Sequence, residues 1–430
     1  MREMKDSGIE WIGEIPAGWK VKKIKHSFSI IAGATPKSEV PEFWDGDIAW
    51  ITPADYKTAD VYVAGGKRNL SQAGYDSCGT TLIPSGSIVF SKRAPIGSVA
   101  INTNDLCTNQ GCLSCVPRCE CVTKYFYYMM SVFTEIFNLF GTGTTFKEIS
   151  ADNFANFSLP FPDITEQHQI VSYLDQKCTE VDAVIAKTKA TIEEYKKLKQ
   201  SIITEAVTKG IRGDRSMKES GIAWVPQIAA DWHISRIGLH YDVILGKMLC
   251  DRQLQDDYTL EDYFCAANVH FDGVATQGLK KMWFSPAERE NYHVNIGDLL
   301  VVEGGAGAGG AAIVTELINP TYIQNSIMIV RGKHSQTNRY LRYWIECLVK
   351  KGYVDVVCNK ATIPHFTKDK LATMPIPVLD ETEMLEIADY LDEKCLQLDA
   401  LIARKTALLE EMESYKKSVI YEYVTGKKEV

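Results

Sequence analysis

The sequence has no run of about 18 apolar residues, so it offers no transmembrane helix and no membrane partner. Its first ten residues, MREMKDSGIE, are charged and contain no apolar core of a secretory signal. Three signatures of chemistry are also missing: G-x-x-x-x-G-K-[S/T] for phosphate, H-E-x-x-H for zinc, and the nucleophile elbow G-x-S-x-G. Only eight histidines occur, and they are scattered; His26 and His365 have no Cys or Asp partner by spacing. Excess positive charge is lacking too, since the formal net charge is −8. That argues against a surface coated in basic residues. A nucleic-acid binder with this balance must concentrate Lys and Arg in a groove or borrow basic surface from partners. What is present is ordinary for a globular chain: 430 residues, 45% hydrophobic and 24% charged, enough for two to four domains. Twelve cysteines without an export signal read as reduced thiols of a cytoplasmic protein.

The chain repeats itself. "MKDSGIEWIGEIPAGW" from Met4 returns without a gap as "MKESGIAWVPQIAADW" from Met217, an offset of 213 residues. "YLDQKCTEVDAVIAK" from Tyr173 returns as "YLDEKCLQLDALIAR" from Tyr390, and "LPFP" at Leu159–Pro162 as "MPIP" at Met374–Pro377. Between these fixed elements lie two dissimilar segments, roughly 25–158 and 238–373. Two copies of about 215 residues mean a duplicated domain pair rather than a solenoid. The segments divide as 1–158 and 214–373, two variable domains, and 159–213 and 374–430, two helical regions.

Each helical region shows a coiled-coil spacing of three and four residues. In the first, Val181, Val184, Thr188, Thr191, Tyr195, Leu198 and Ile202 form the stripe; in the second, Leu398, Leu401, Lys405, Leu408, Met412, Tyr415 and Val419. A continuous helix from Glu166 to Lys209 would span roughly 65 Å. The termini of a domain usually lie close together. The second helix should therefore start near the end of the first and run back antiparallel to it. The variable segments read as short strands broken by Gly and Pro, each with one helix: Lys124–Phe140 and Arg339–Gly352. The expected fold is α+β, with two pseudo-two-fold-related domains separated by a long antiparallel two-helix coiled coil.

Two stretches imitate active sites. Gly305, Gly307 and Gly310 in "VVEGGAGAGGAAIV" satisfy G-x-G-x-x-G, and "NPTY" (Asn319–Tyr322) sits one residue away from an amino-methyltransferase signature. An adenosyl site needs a helix after the glycines and several βα units before the catalytic motif. Here only a few residues precede a proline, so a glycine-rich turn between strands is expected. Cys107, Cys112 and Cys115, with Cys119 and Cys121 nearby, carry part of an iron–sulfur spacing. "CLSCV" alternates like a strand, which would send Cys112 and Cys115 to different faces, so buried thiols and no metal are expected.

The duplicated frame, with "GSIVFSKRAPIGSVAI", "NQG", "GTTFKEIS", "GDLLVVEGG", "IQNSIMIVR" and "ATIPHFTKDKL", resembles the specificity (S) subunit of type I restriction-modification systems over essentially the whole chain. The resemblance implies a non-catalytic subunit. Each of its two target-recognition domains would read one half of an asymmetric bipartite site in double-stranded DNA. Its helices would fix the spacer and dock two modification (methyltransferase) subunits, and restriction/translocase subunits would join them. It further implies no cofactor on this chain, with S-adenosylmethionine, ATP and Mg on the partners. An S-like scaffold for a standalone adenine methyltransferase, or a methyltransferase in its own right, are the alternatives.

Within that resemblance, Lys92 and Arg93 in "SKRAPIG" suit an exposed tip from which Arg reads guanine, and Asn109 and Gln110 suit adenine. Lys67 and Arg68 suit phosphates, and Lys147 occupies a loop that recurs in the family. The counterparts in the second domain are Lys280, Lys281, Gln324, Asn325, Lys360 and His365. For each charge the competing reading is a solvated surface residue, and for each Asn or Gln a turn or cap.

Overall fold

The repeated opening lines fold as two-stranded straps. In the computed structural model, which describes residues 2–57, 60–93, 95–143, 147–334, 336–358 and 364–430, Met4–Asp6 pairs antiparallel with Glu14–Pro16, and Met217–Ile222 with Val225–Ala229. Apolar residues of each strap turn inward: Ile9, Ile12, Ile15 and Trp19 in one, Ile222, Val225, Ile228 and Trp232 in the other, all buried. Each strap runs into a strand that pairs with the Pro-containing segment at the far end of the same variable region. Lys20–Lys23 meets Ser158–Phe161, and His233–Arg236 meets Pro375–Val378. Proline is tolerated there because a two-stranded ladder leaves one side of each strand free of partners.

A charged clasp holds each strap to its helix. Trp19 Nε1 donates to Glu166 Oε2 at 2.7 Å, and Arg2 pairs with the same carboxylate while lying 5.2 Å over the Trp19 ring. In the second copy Trp232 Nε1 donates to Glu383 Oε2 at 3.1 Å, and Arg215 pairs with Glu383 and lies 5.3 Å over Trp232. Both glutamates stand in the first turn of a long helix, where exposed backbone N–H groups favour negative charge. Asp163 and Asp380 cap those turns, accepting from the Glu166 and Glu383 amides at 2.9 and 3.0 Å.

The chain divides into two compact units, Met1–Lys189 with Ala407–Val430, and Ala190–Thr406. Each is α+β. The first holds a five-stranded sheet ordered Phe28–Ala32, Cys112–Pro117, Ile88–Ser91, Val99–Asn102, Tyr62–Val63, and a three-stranded sheet with Trp44–Ile51 between Cys107–Thr108 and Arg68–Leu70. The second holds a four-stranded sheet ordered Tyr241–Leu245, Ile327–Gly332, Leu299–Val302, Ala311–Ile313, and a three-stranded one with Thr259–Phe264 between Thr321–Ile323 and Lys280–Phe284. The orders match apart from the extra edge strand Tyr62–Val63. The single helix expected over Lys124–Phe140 is two, Thr123–Val132 and Thr134–Phe140. They meet at Phe133, beside which the Thr134 hydroxyl donates to the Gly97 carbonyl at 3.3 Å. Its counterpart Asn338–Lys350 is continuous.

The long helices run Ile164–Lys209 and Glu381–Val424. In each unit their paired portions are antiparallel. Asp182 meets Lys416 at 2.7 Å and Tyr173 stacks near Tyr423 in the first unit; Lys199 meets Asp399 at 2.6 Å and Arg212 meets Glu386 at 2.8 Å in the second. Tyrosines of the shorter helices tie in equivalently: Tyr125 and Tyr340 donate to the carbonyls of Val424 and Val207, Tyr128 and Tyr343 to Asp175 and Asp392.

The stripe expected from the sequence is corrected at four of its fourteen positions. Val181, Thr188, Tyr195 and Ile202, and Leu398, Lys405, Met412 and Val419, are buried or half-buried. Val184, Leu198, Leu401 and Tyr415 are instead 46, 47, 42 and 49% exposed. The inward positions there lie one residue later: Ile185, Ile192 and Lys199, and Ile402, Leu409 and Lys416, with Leu408 half-buried beside Leu409 and Thr191 beside Ile192. Lys199 and Lys416 occupy seam positions because their alkyl stems cover the seam while their ammonium groups reach a carboxylate opposite.

Candidate nucleic-acid interface

In the first unit the loops beyond several strands converge on the turn Asn109–Gly111. Ala34 N donates to Thr108 O at 2.9 Å, Asn109 N to Ile51 O at 2.9 Å, Lys92 N to Gly111 O at 2.9 Å, and Ile149 N to Lys92 O at 3.0 Å. These bonds gather the segment after Phe28–Ala32, the hairpin tip after Ile88–Ser91 and the return segment before Ser150. The Lys67 amide joins through Asp55 Oδ1 at 3.2 Å, and a side chain at Gly111 would stand 3.1 Å from Pro53. The structure thus brings Lys67, Arg68, Lys92, Arg93, Asn109, Gln110 and Lys147 to one loop cluster.

Their side chains are not equivalent. Asn109 Oδ1 accepts from the Gly111 amide at 2.9 Å, the turn-forming role. Gln110 is exposed and bonds to the Thr35 hydroxyl. Arg68 lies 3.8 Å over the Trp44 ring, exposed, with Lys67 and Lys147 exposed as well. Lys92 pairs with Glu148 at 2.7 Å, and Arg93 approaches the same carboxylate at 3.5 Å.

The second unit repeats the construction bond for bond. Lys247 N donates to Ile323 O at 3.3 Å, Gln324 N to Phe264 O at 3.1 Å, Glu303 N to Ser326 O at 2.8 Å, and Phe366 N to Glu303 O at 2.6 Å. Gln324 and Asn325 form the central turn, where Gln324 Oε1 accepts from Ser326 Oγ at 2.7 Å. Lys280 stands opposite Tyr263 as Arg68 stands opposite Trp50. Lys281 is committed to Asp262 at 2.9 Å. Although burial pushes the Asp262 carboxyl up, hydrogen bonds from Lys281 and Asn319 hold it below its usual value. His365 is exposed, its Nδ1 3.5 Å from Glu303 Oε2. Lys360 lies outside the described residues.

Both imitations of active sites resolve into framework. The glycines belong to the hairpin tip between Leu299–Val302 and Ala311–Ile313, with Gly305 and Gly309 at φ +87° and +84°, where only glycine is unstrained. The next element is again a strand, Thr321–Ile323. Asn319 Nδ2 donates to Asp262 at 3.0 Å, and Tyr322 is buried 4.7 Å from the Phe284 ring. The thiols of Cys107, Cys112 and Cys115 enter three separate apolar clusters, beside Trp44, Tyr56 and Phe28 respectively. Burial pushes Cys107 up to about 11 and Cys112 to about 12. All twelve cysteines are free.

Two residues of the cluster escape a search for cations and amides: Glu148 and Glu303. The signal for Glu303 is positional. "IVFSK" and "LLVVE" end equivalent strands, so Glu303 occupies the place of Lys92. Isolated bridges Arg93↔Glu148 and Gly304↔His365 place Glu148 opposite one tip and His365 opposite the other. The two tips therefore carry equivalent side-chain pairs, Lys92 with Glu148 and Glu303 with His365, in which the acid has changed sides.

Among the described residues no helix is long and apolar enough to cross a membrane. Residues 16–194 match the type I restriction modification DNA specificity domain. The chain is 37% identical over 166 residues to the type I restriction enzyme MjaIX specificity subunit of Methanocaldococcus jannaschii, covering 38% of each chain. It is 28% identical to the HindI specificity subunit of Haemophilus influenzae, over 43% of this chain and 39% of that one. These alignments thus span under half of the relatives' own lengths. A 22% identical match to the MjaVIII specificity subunit of M. jannaschii reaches 70% of this chain and 69% of the relative. The fold is like that of a chain from a structure described as the basis of complex assembly and conformational transition of the type I R-M system, with TM-score 0.73 and 16% identity over 96% and 99% of the two chains. It is also like the HsdS subunit of Thermoanaerobacter tengcongensis, with TM-score 0.50 and 16% identity over 96% and 98%. Domain match, relatives and fold agree in what this chain is similar to: residues 16–194 carry a type I restriction modification DNA specificity domain, and the chain resembles type I specificity subunits in sequence and fold.

Proposed function

We propose that the chain is the DNA-reading subunit of a type I restriction-modification complex and carries no catalysis of its own. The observation that carries this reading is the loop cluster built twice on one plan with different side chains. A frame held constant while its tips vary is what two readers of unlike half-sites require. Lys67, Arg68 and Lys147 supply phosphate contacts, which position the duplex without reading it. Arg93 and Gln110 supply the base contacts of the first domain. The second domain uses Lys280, Gln324, Asn325 and His365.

The paired helices fix the spacer and dock two modification subunits, which bring S-adenosylmethionine and methylate adenine. Restriction subunits bring ATP and Mg for translocation and cleavage. The net charge of −8 fits a chain that shares its DNA clamp with partners.

Co-expression of the full chain with its modification subunits, followed by mapping of methylated adenines, tests the reading. An asymmetric bipartite motif is expected, and methylation without such a motif overturns it. A seven-residue insertion in both helices adds about 10 Å, so the spacer should grow by about three base pairs. An unaltered spacer overturns the ruler.

A further inference from the structure

We propose that Glu303 is a specificity-determining residue, through which the second domain selects a base presenting an exocyclic amino donor in the major groove, namely cytosine. The inference rests on the DNA-reading function proposed above and deepens it. Glu303 is the first residue beyond its strand, as Lys92 is in the first unit. Both amides donate into the central turn, to Ser326 O and Gly111 O, and both carbonyls accept from the return segment, from Phe366 N and Ile149 N. The backbone therefore delivers a carboxylate to the place where the first domain delivers an ammonium group.

A carboxylate there is costly beside a duplex. Two like charges 4 Å apart repel by about 4 kcal/mol at an effective dielectric of 20, and two lysines of this loop cluster are engaged elsewhere, Lys247 with Glu288 at 2.6 Å and the Trp283 carbonyl at 2.9 Å, and Lys370 with the His365 carbonyl at 2.7 Å. The site tolerates Glu303 only if it faces donors. Base edges in the major groove offer two, cytosine N4 and adenine N6. Adenine sets its N7 acceptor beside N6, which repels the second carboxylate oxygen, whereas cytosine has no acceptor there.

Two features serve this contact. His365 Nδ1, 3.5 Å from Oε2, restrains the carboxylate from one side. The Glu303 side chain is only 17% exposed, so a base edge must come close to reach it. The tip that follows, residues 304–310, is glycine apart from the methyl groups of Ala306 and Ala308, so little stands out from it to hold the duplex away. In the first domain the same position presents Lys92 and Arg93, donors suited to the guanine O6 and N7 acceptors. The two half-sites are thus read with opposite hydrogen-bond polarity at equivalent positions.

The test is the methylated motif of the complete modification complex carrying wild-type chain, Glu303→Ala or Glu303→Gln, with thermal melting of each. The wild type should require cytosine at one position of one half-site. Glu303→Ala should lose about 5- to 150-fold discrimination at that position and keep the rest of the motif. Glu303→Gln, which preserves shape if the alanine variant fails to assemble, should shift the preference towards adenine, because a carboxamide both donates to N7 and accepts from N6. A wild-type bipartite motif that persists unchanged in both variants overturns the assignment, as does a change confined to the half-site altered by Arg93→Ala. A wild-type complex that produces no bipartite motif overturns the underlying reading instead.

Discussion

Trp19 and Trp232 are the same residue in the same place, each donating to a glutamate at the start of a long helix; Lys92 and Glu303 are opposite residues in the same place, each at the tip of a hairpin. The two units agree where the chain closes on itself and differ where it faces outward. Such a division is physically economical. Buried donors and acceptors must be satisfied within the chain, which restricts substitution. The tip side chains Lys92 and Glu303 are half-buried and each has a single partner across the tip, Glu148 or His365, so the pair can be exchanged without disturbing the frame.

The comparison breaks most visibly at the clasp. The Glu383 side chain is 2% exposed and Glu166 24%. Glu383→Ala should destabilise the second unit by about 2–3 kcal/mol, because it strands the buried Trp232 N–H and leaves Arg215 only Asp231; Glu166→Ala should cost about 1–2 kcal/mol. Equal losses in denaturant unfolding would show that the clasps do not differ. Next comes the seam. Ile192, 8% exposed, should cost about 2–4 kcal/mol on truncation to Ala, and Leu198→Ala no more than about 0.5 kcal/mol. The reverse order of melting temperatures would restore the stripe expected from the sequence.

A smaller effect is expected at the first tip. Arg93→Ala should relax one base of one half-site by about 1–3 kcal/mol of discrimination, read from the methylated motif, and an unchanged motif would make Arg93 a solvated partner of Glu148. The smallest concerns the lysines of the seam. Double-mutant cycles for Lys199 with Asp399, and for Lys416 with Asp182, should each give about 0.2–1 kcal/mol, falling with salt. Coupling in only one of the two pairs would mark a difference between the units that their sequences do not suggest.

Much of the frame is legible in the sequence because it is written twice. Repetition alone locates the straps, the Pro-containing strands and the helices, and the antiparallel direction follows from where the second variable segment sits. The apolar pattern places the seam one residue off at Val184, Leu198, Leu401 and Tyr415 for a specific reason. Val184, Leu198 and Leu401 are apolar and at plausible spacing, whereas the true stripe includes Lys199 and Lys416, which no apolar pattern selects. The loop cluster is legible only in part. Lys92, Asn109 and Lys147 are far apart in sequence, and what joins them is backbone hydrogen bonding between loops. Glu303 escapes because a search for DNA contacts favours cations, so the one informative acid looks like background.

The lysine at the seam has a further consequence. Sliding the paired portions by one heptad would carry Lys199 about 10 Å from Asp399, beyond the roughly 8 Å over which charges attract at physiological salt. An apolar stripe of period seven tolerates such a slip, since every apolar side chain finds another hole. A half-buried ammonium group does not: slipped one way Lys199 would face Thr406 with no counter-charge, and slipped the other way it would face Asp392, which is already committed to Arg339 and Tyr343. The same holds for Lys416 and Asp182 in the first unit. Each unit thus carries its own phase lock, weak as an adhesive but decisive about alignment.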